Sequence, residues 1–119
     1  MHSDPLALAH AWIRAFNAHD VPALVALYAP DATHTSPKIR AMHPDTGGQL
    51  VGHEALTQWW LDSIQRIAGL QYEPTAFTAS ADRVFIEYVR HATGQPDMPV
   101  AEAFDVRDGK IVASRVYHG

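Results

Sequence analysis

Between Pro5 and Phe16 the apolar residues Leu8, Ala9, Trp12, Ile13 and Phe16 recur at intervals of three and four, the spacing that lines one face of an α-helix. Ser3-Asp4-Pro5 supplies a capping side chain followed by proline at the first helical position, where its missing N–H costs nothing, so the helix is predicted to begin there and end near Ala18. After a turn at Asn17-Ala18-His19-Asp20, Asp20 is expected to cap a short second helix through Pro22, Leu24, Val25, Leu27 and Tyr28, stopped by Pro30. A short strand is expected at 32–36 and a loop from Lys38 to Gly48, where no apolar period survives. A third helix, 53–68, follows Gly52 and carries the stripe Leu56, Trp59, Trp60, Ser63, Ile64 and Ile67, with Gly69 as its stop.

From Leu70 the period shortens to two. Segments rich in Val, Ile, Phe, Tyr and Thr alternate with turn signals at Ser80-Ala81-Asp82, Gly94-Gln95-Pro96-Asp97 and Arg107-Asp108-Gly109, which predicts strands at 70–78, 83–92, 99–106 and 110–118. Asp108-Gly109 is the strongest hairpin signal, because glycine accepts the positive φ of a primed turn. Helices followed by consecutive antiparallel strands define an α+β domain with its helices on one face of a sheet.

Composition narrows the function classes. The chain has 119 residues, 47% of them hydrophobic, which suits a single domain spanning 1–119 with a core that needs no metal or disulfide staple. The absence of cysteine removes disulfides, thiol nucleophiles and cysteine-based zinc sites, and leaves the redox compartment open. A net charge of −4, with only Lys38 and Lys110 as lysines, argues against a nucleic-acid partner. No apolar run approaches the ~18–20 residues of a membrane span, and Met-His-Ser-Asp-Pro lacks the basic and apolar regions of a leader, so a cytoplasmic protein with no membrane partner is expected. Eight histidines are the compositional oddity, since each can titrate near neutral pH.

Several short motifs stand in a telling order: Phe16-Asn17-Ala18-His19-Asp20, Ala26-Leu27-Tyr28-Ala29-Pro30-Asp31-Ala32, Gly52-His53-Glu54-Ala55-Leu56, Tyr88-Val89-Arg90-His91 and Arg107-Asp108-Gly109-Lys110-Ile111. Together they resemble the nuclear transport factor 2-like superfamily, in the branch of ketosteroid isomerase and the SnoaL-like polyketide cyclases. The resemblance covers nearly the whole chain and implies a curved, mainly antiparallel (mixed) sheet wrapped as a cone around three N-terminal helices. It also implies a largely apolar pocket at the open end and a homodimer formed through the outer sheet face, with Tyr88, Arg90, Asp105 and Arg115. Such a fold hosts isomerases, cyclases, dehydratases, epoxide hydrolases and non-enzymatic domains.

The site residues that the resemblance implies are only partly retained. Ser36 stands where the isomerase has its catalytic aspartate, Trp12 where it has an oxyanion-hole tyrosine, and Glu102 where it has a protonated aspartate. The cyclases' histidine and aspartate fall on Glu102 and Val116. Ordinary steroid isomerisation is therefore not expected.

Alternation supplies a reading of its own. Glu102 shares a strand face with Val100, Phe104 and Val106, so it is expected to point into the cone, where desolvation raises a carboxyl pKa. The strand 83–92 has two faces, Val84-Ile86-Tyr88-Arg90 and Phe85-Glu87-Val89-His91, between which pattern does not choose; the resemblance implies that the second faces the pocket, pairing Glu87 with His91. It likewise implies that Val112, Ser114, Val116 and His118 face inward. His34, two residues before Ser36 on the same side of an extended segment, is the candidate base or water activator. Trp12, Phe16, Trp59, Trp60 and Phe104 are core aromatics, some of them also pocket walls, and Tyr28 either donates to a substrate oxygen or packs with its hydroxyl at the rim.

No His-Glu-x-x-His or facial-triad spacing is present, and a tertiary cluster of His34, His91, His118 and Glu102 is the one metal arrangement a cone leaves open; no metal or cofactor is assigned. His2, His10, His19, His43 and His53 fall on a terminus, a helix flank, a turn, a loop and a helix cap. The resulting expectation is cofactor-independent acid–base chemistry, such as isomerisation, cyclisation, dehydration or epoxide hydrolysis, on a hydrophobic small molecule. Glu102 would serve as acid or oxyanion donor and His34 as base or water activator, with Glu87, His91 and His118 tuning them; Trp12, Phe16, Tyr28, Ser36, Trp59, Phe104 and Val116 would bind substrate. The rival is a non-catalytic binding or dimerisation module of the same fold, and an open cavity of several hundred Å³ around Glu102 would favour an enzyme or binder.

Overall fold

The computed structural model describes residues 4–118. His2 and Ser3 lie outside the described residues, as do the two ends of the expected domain. Helix α1 (Pro5–Asn17) starts at Asp4, whose side chain accepts a hydrogen bond from the Ala7 amide at 3.1 Å, and it buries Ala9, Trp12, Ile13 and Phe16 along the predicted stripe. Helix α2 (Val21–Val25), capped by Asp20, is shorter than expected. Tyr28 opens strand β1 (Tyr28–Thr35) instead of closing the helix, because the chain tightens into a turn at Leu27 and Tyr28 then pairs with Ile111.

The segment expected as loop contains helix α3 (Pro37–Met42), N-capped by Ser36, and a single 3₁₀ turn at Pro44–Thr46. A three-residue strand, β2 (Gln49–Val51), precedes α4 (His53–Arg66). The expected three helices thus gain a short fourth. The remaining strands are β3 (Gln71–Ala79), β4 (Arg83–Ala92), β5 (Gln95–Arg107) and β6 (Lys110–His118). Strand β5 begins four residues earlier than predicted, since Ala92 pairs with Gln95 and the turn shrinks to Thr93-Gly94, with Gly94 at φ +76°. Asp108 and Gly109 both have positive φ, 53° and 76°, as the hairpin signal requires.

The six strands form one open mixed sheet in the order β2-β1-β6-β5-β4-β3, antiparallel at every pairing except β1 with β6. Its concave face packs on α1 and α4, and this α+β cone buries a core of Trp12, Phe16, Leu24, Leu56, Trp60, Ile86 and Phe104. No helix among the described residues is long and apolar enough to cross a membrane.

Two irregularities decide which side chains enter the cone. In β4 the inward face is Val84, Ile86, Tyr88 and Arg90, all buried, whereas Phe85 and Glu87 are exposed and Val89 and His91 half-buried. The face implied by the resemblance is therefore reversed, and Tyr88 and Arg90 do not belong to the outer surface. Between β5 and β6 a bulge lets Val106 pair with Ile111 while Asp105 pairs with Ala113. Ile111 is consequently buried in the place expected for Val112, and Ser114 returns to the inward face.

Candidate active site

The cone holds a cavity of about 50 Å³, walled by Trp12, Trp59, Trp60, Tyr72 and Val100, with Glu102 and His34 among its polar lining residues. Glu102 comes from the middle of β5, opposite Ile86 on β4 and Val116 on β6, and is 1% exposed. Its Oε1 accepts a hydrogen bond from the Tyr88 hydroxyl at 3.0 Å, while Oε2 is buried with no partner. Burial raises the Glu102 pKa from an ordinary 4.5 to about 8, against the smaller lowering effect of the Tyr88 bond. At neutral pH the group is predominantly a carboxylic acid. Because Tyr88 already occupies Oε1, the acidic proton sits on Oε2, the oxygen without a partner.

A second polar string runs alongside. The Trp12 indole Nε1–H donates to the Tyr28 hydroxyl at 3.0 Å, Tyr28 meets Ser114 Oγ at 2.9 Å, and Ser114 Oγ meets His34 Nδ1 at 2.6 Å. The indole can only donate, so Tyr28 accepts there and its own proton has Ser114 as partner. Ser114 then donates to His34 Nδ1, which sets the imidazole as the Nε2–H tautomer. Burial lowers the His34 pKa to about 4. The His34 Nδ1 to Glu102 Oε2 separation is 3.9 Å. Glu102 keeps its proton up to about pH 8 and His34 gains one only below about pH 4, so between these limits the contact joins two neutral groups and is no ion pair. Desolvation raises the Tyr28 and Tyr88 pKa values too, with the nearby Glu102 charge as the next cause, so both phenols stay protonated.

Local sequence explains this placement. His53, the first residue of α4, brings Nε2 within 2.8 Å of the Tyr28 carbonyl and ties β1 to the helix whose Trp60 ring packs on both Tyr28 and His34. Ser36 lines the cavity, but its hydroxyl accepts from the Lys38 amide at 3.1 Å and serves as the cap of α3. Phe104 lies fully buried in the core against Trp12, and it does not line the cavity, whereas Phe16 and Val116 do. Tyr28 sits in the interior string, away from the rim.

Of the other expected acid–base residues, Glu87 and His91 are not brought together with Glu102 and His34, whereas His118 is. Glu87 is exposed on the outer face. His91 faces outward as well, bridging Glu73 and Asp97 at 2.9 Å each, and the hydrogen bonds that its ring donates to those carboxylates raise its pKa. His118 lines the cavity from the end of β6, where burial and then the charges of Lys38 and Arg90 lower its pKa. With His91 outside, the cluster His34-His91-His118-Glu102 does not form, and among the described residues no three His, Asp or Glu side chains converge as metal ligands. The remaining described histidines have packing or bonding roles: His10 stacks on Phe77 and His19 Nε2 lies 2.8 Å from the Leu70 carbonyl. Sequence reasoning set Ser114 on the pocket side without giving it a role and missed Tyr88, which stands with Arg90 on the β4 face that the resemblance turned outward.

The family of SnoaL-like domains matches residues 9–114. This chain belongs to that family. Among solved structures it is similar to a SnoaL-like protein of unknown function from Burkholderia thailandensis, with 28% identity, a TM-score of 0.85 and coverage of 97% of this chain and 93% of the other. A putative polyketide cyclase from Xanthomonas campestris shares 26% identity at a TM-score of 0.81, covering 97% of this chain and 90% of that one. TerC, crystallised with polyporic acid, shares 20% identity at a TM-score of 0.82, covering 97% and 91%, and shows likeness of fold. No curated protein matches this SnoaL-like chain.

Proposed function

We propose that this SnoaL-like domain is a small-molecule enzyme that works by neutral-acid catalysis in the cone. The observation that carries the reading is Glu102 Oε2: a carboxylic acid oxygen, fully buried, without a partner, at a cavity wall. A buried donor left unpaired is costly, and a substrate oxygen would satisfy it. Bound there, a carbonyl receives a hydrogen bond that strengthens as negative charge develops on its oxygen, which is the condition for transition-state stabilisation. Neutral His34, with Nδ1 occupied by Ser114, is left with Nε2–H as a donor, in place of the base role expected for it. Enolisation, and with it isomerisation, aldol cyclisation or dehydration, falls within such a site. His118 at the mouth is the un-ionised imidazole left to accept a proton.

The cavity is far below the ~300 Å³ of ordinary ligand pockets. Trp59 walls both this cavity and an outer groove of about 490 Å³ that also touches Met42, His43 and Leu50. A turn of the Trp59 side chain would join the two volumes, and this is the entry route we favour. Glu102 and His34 line the smaller space, so the chemistry is assigned there. The same narrowness supports the second reading, a non-catalytic module whose cone is filled by its own aromatics.

Solvent-deuterium exchange at carbons next to the carbonyl of a panel of cyclic ketones and enones, followed by NMR, separates the two. The enzyme reading expects accelerated exchange for at least one compound and a loss of roughly 10²–10³-fold in Glu102→Gln. Exchange at the buffer rate throughout, or equal rates for both proteins, would overturn it. We also propose a homodimer through the outer sheet face, where Phe85 and Tyr117 stack at 6.2 Å and are 38% and 50% exposed.

A further inference from the structure

The mouth of the cone carries a charge pattern that the acid at its base does not require. Arg90, Lys38, Arg66 and His118 all line the cavity, in a chain whose net charge is −4. Arg66 is neutralised by Asp62 at 3.2 Å. Arg90 is not: it is 6% exposed, Nη1 donates to the Gln95 side-chain oxygen at 3.0 Å, and Nη2 is buried without a partner. Among the described residues neither Arg90 nor Lys38 has a carboxylate within ion-pair distance. The one carboxyl on the cavity wall is Glu102, which is neutral at pH 7. Burial, and then the charges of Arg90 and Arg66, lower the Lys38 pKa, so the cations act on one another with no anion between them.

We propose that the cone takes an organic carboxylate, with its anionic end held by Arg90 Nη2 and Lys38 at the mouth and its carbon skeleton against Trp59, Met98 and Val100. A planar guanidinium with an unfilled N–H matches a carboxylate better than it matches any neutral oxygen, and burial removes the water that would otherwise screen the pair. Register sets the ligand's length. Arg90 pairs with Met98 and Ile86 with Glu102, so the cation and the acid stand four residues apart along β5, about 13 Å at the usual rise. The carboxylate is thus an anchor remote from the reacting carbonyl, which is the part of the proposal that rests on Glu102 as the acid. Remote binding energy of this kind serves to orient the reacting end.

The probes are trans-cinnamate and its uncharged isostere cinnamamide, titrated at pH 7 while the indole N–H signals of the three tryptophans are followed by NMR. Cinnamate is expected to bind at least about tenfold more tightly than cinnamamide, with the difference shrinking as salt is added. Arg90→Gln should bring the ratio close to one and Arg90→Lys should restore part of it. Lys38→Gln, at a half-buried position, should lower the ratio at least about threefold and carries the test should Arg90→Gln not fold. Glu102→Gln should leave the ratio intact. Equal affinities, a ratio that survives both the Arg90 and the Lys38 change, or failure of both probes to bind would overturn the anion site. Charge preference without Glu102-dependent exchange would remove the catalytic reading alone, and exchange without charge preference would remove the carboxylate alone.

Discussion

Glu102 costs the fold stability wherever the unfolded chain would ionise it. Its folded pKa of about 8 lies above the ordinary 4.5, so its favourable contribution is whole below about pH 4.5 and is lost as pH rises toward 8, at roughly 1.4 kcal/mol per pH unit. Glutamine keeps an oxygen for Tyr88 and carries no ionisation. Urea unfolding should therefore show Glu102→Gln gaining on the wild type between pH 5 and pH 8 by about 2–4 kcal/mol, and a pH-independent difference would contradict the buried-acid assignment. His34 runs the other way. With a folded pKa of about 4 against 6.5, its contribution is present above pH 6.5 and lost as pH falls toward 4, and it cancels in the comparison because both proteins retain it. Removing the centre of the other string should be costly at any pH: Ser114→Ala strips an acceptor from the Tyr28 hydroxyl and a donor from His34 Nδ1, a loss of about 1–3 kcal/mol that chemical denaturation would register.

At the scale of elements, local signals identified most of the chain and faltered where two signals of the same kind were weighed differently. Ser36-Pro37 repeats the logic of Asp4-Pro5, a capping side chain before a proline, yet the following Lys-Ile-Arg-Ala-Met is too short to show an apolar period, so α3 was illegible by periodicity. β2 is three residues long and exists because β1 lies beside it, information that no local pattern contains. Glycine stops were legible and can be tested. Gly69 has φ +69°, and a Cβ built there would clash with Oγ1 of Thr93, a residue whose backbone amide donates to the Ala68 carbonyl at 2.9 Å. Gly69→Ala should cost about 1–3 kcal/mol, whereas Gly94→Ala, with open space around its Cβ, should pay only for its positive φ. Equal melting temperatures for the two variants would refute the steric argument.

The whole molecule presents two sheet faces with opposite roles, and β4 decides which is which. Val84, Ile86, Tyr88 and Arg90 fill the cone, so the outer face carries Phe85 and Tyr117 together with the Arg83-Asp105-Arg115 ion group, whose bonds hold the Asp105 carboxyl below its usual range. Sedimentation is expected to show a dimer, and Tyr117→Glu, which places a charge on the exposed stack, should shift it toward monomer while leaving Glu102 untouched. A wild-type monomer would refute the outer-face contact.

By itself the sequence determined the α+β class, the amphipathic helices, the hairpin at Asp108-Gly109 and the inward direction of Glu102, because each follows from periodicity or turn chemistry within a few residues. Tertiary structure alone decided which face of β4 enters the cone, where the β5–β6 bulge returns Ser114 to the interior, and how Trp12, Tyr28, Ser114 and His34 join into one string. The physical reason is that an alternating strand with hydrophobic groups on both faces is locally degenerate, and only the concave sheet packed on α1 and α4 breaks the tie, by burying one face and exposing the other.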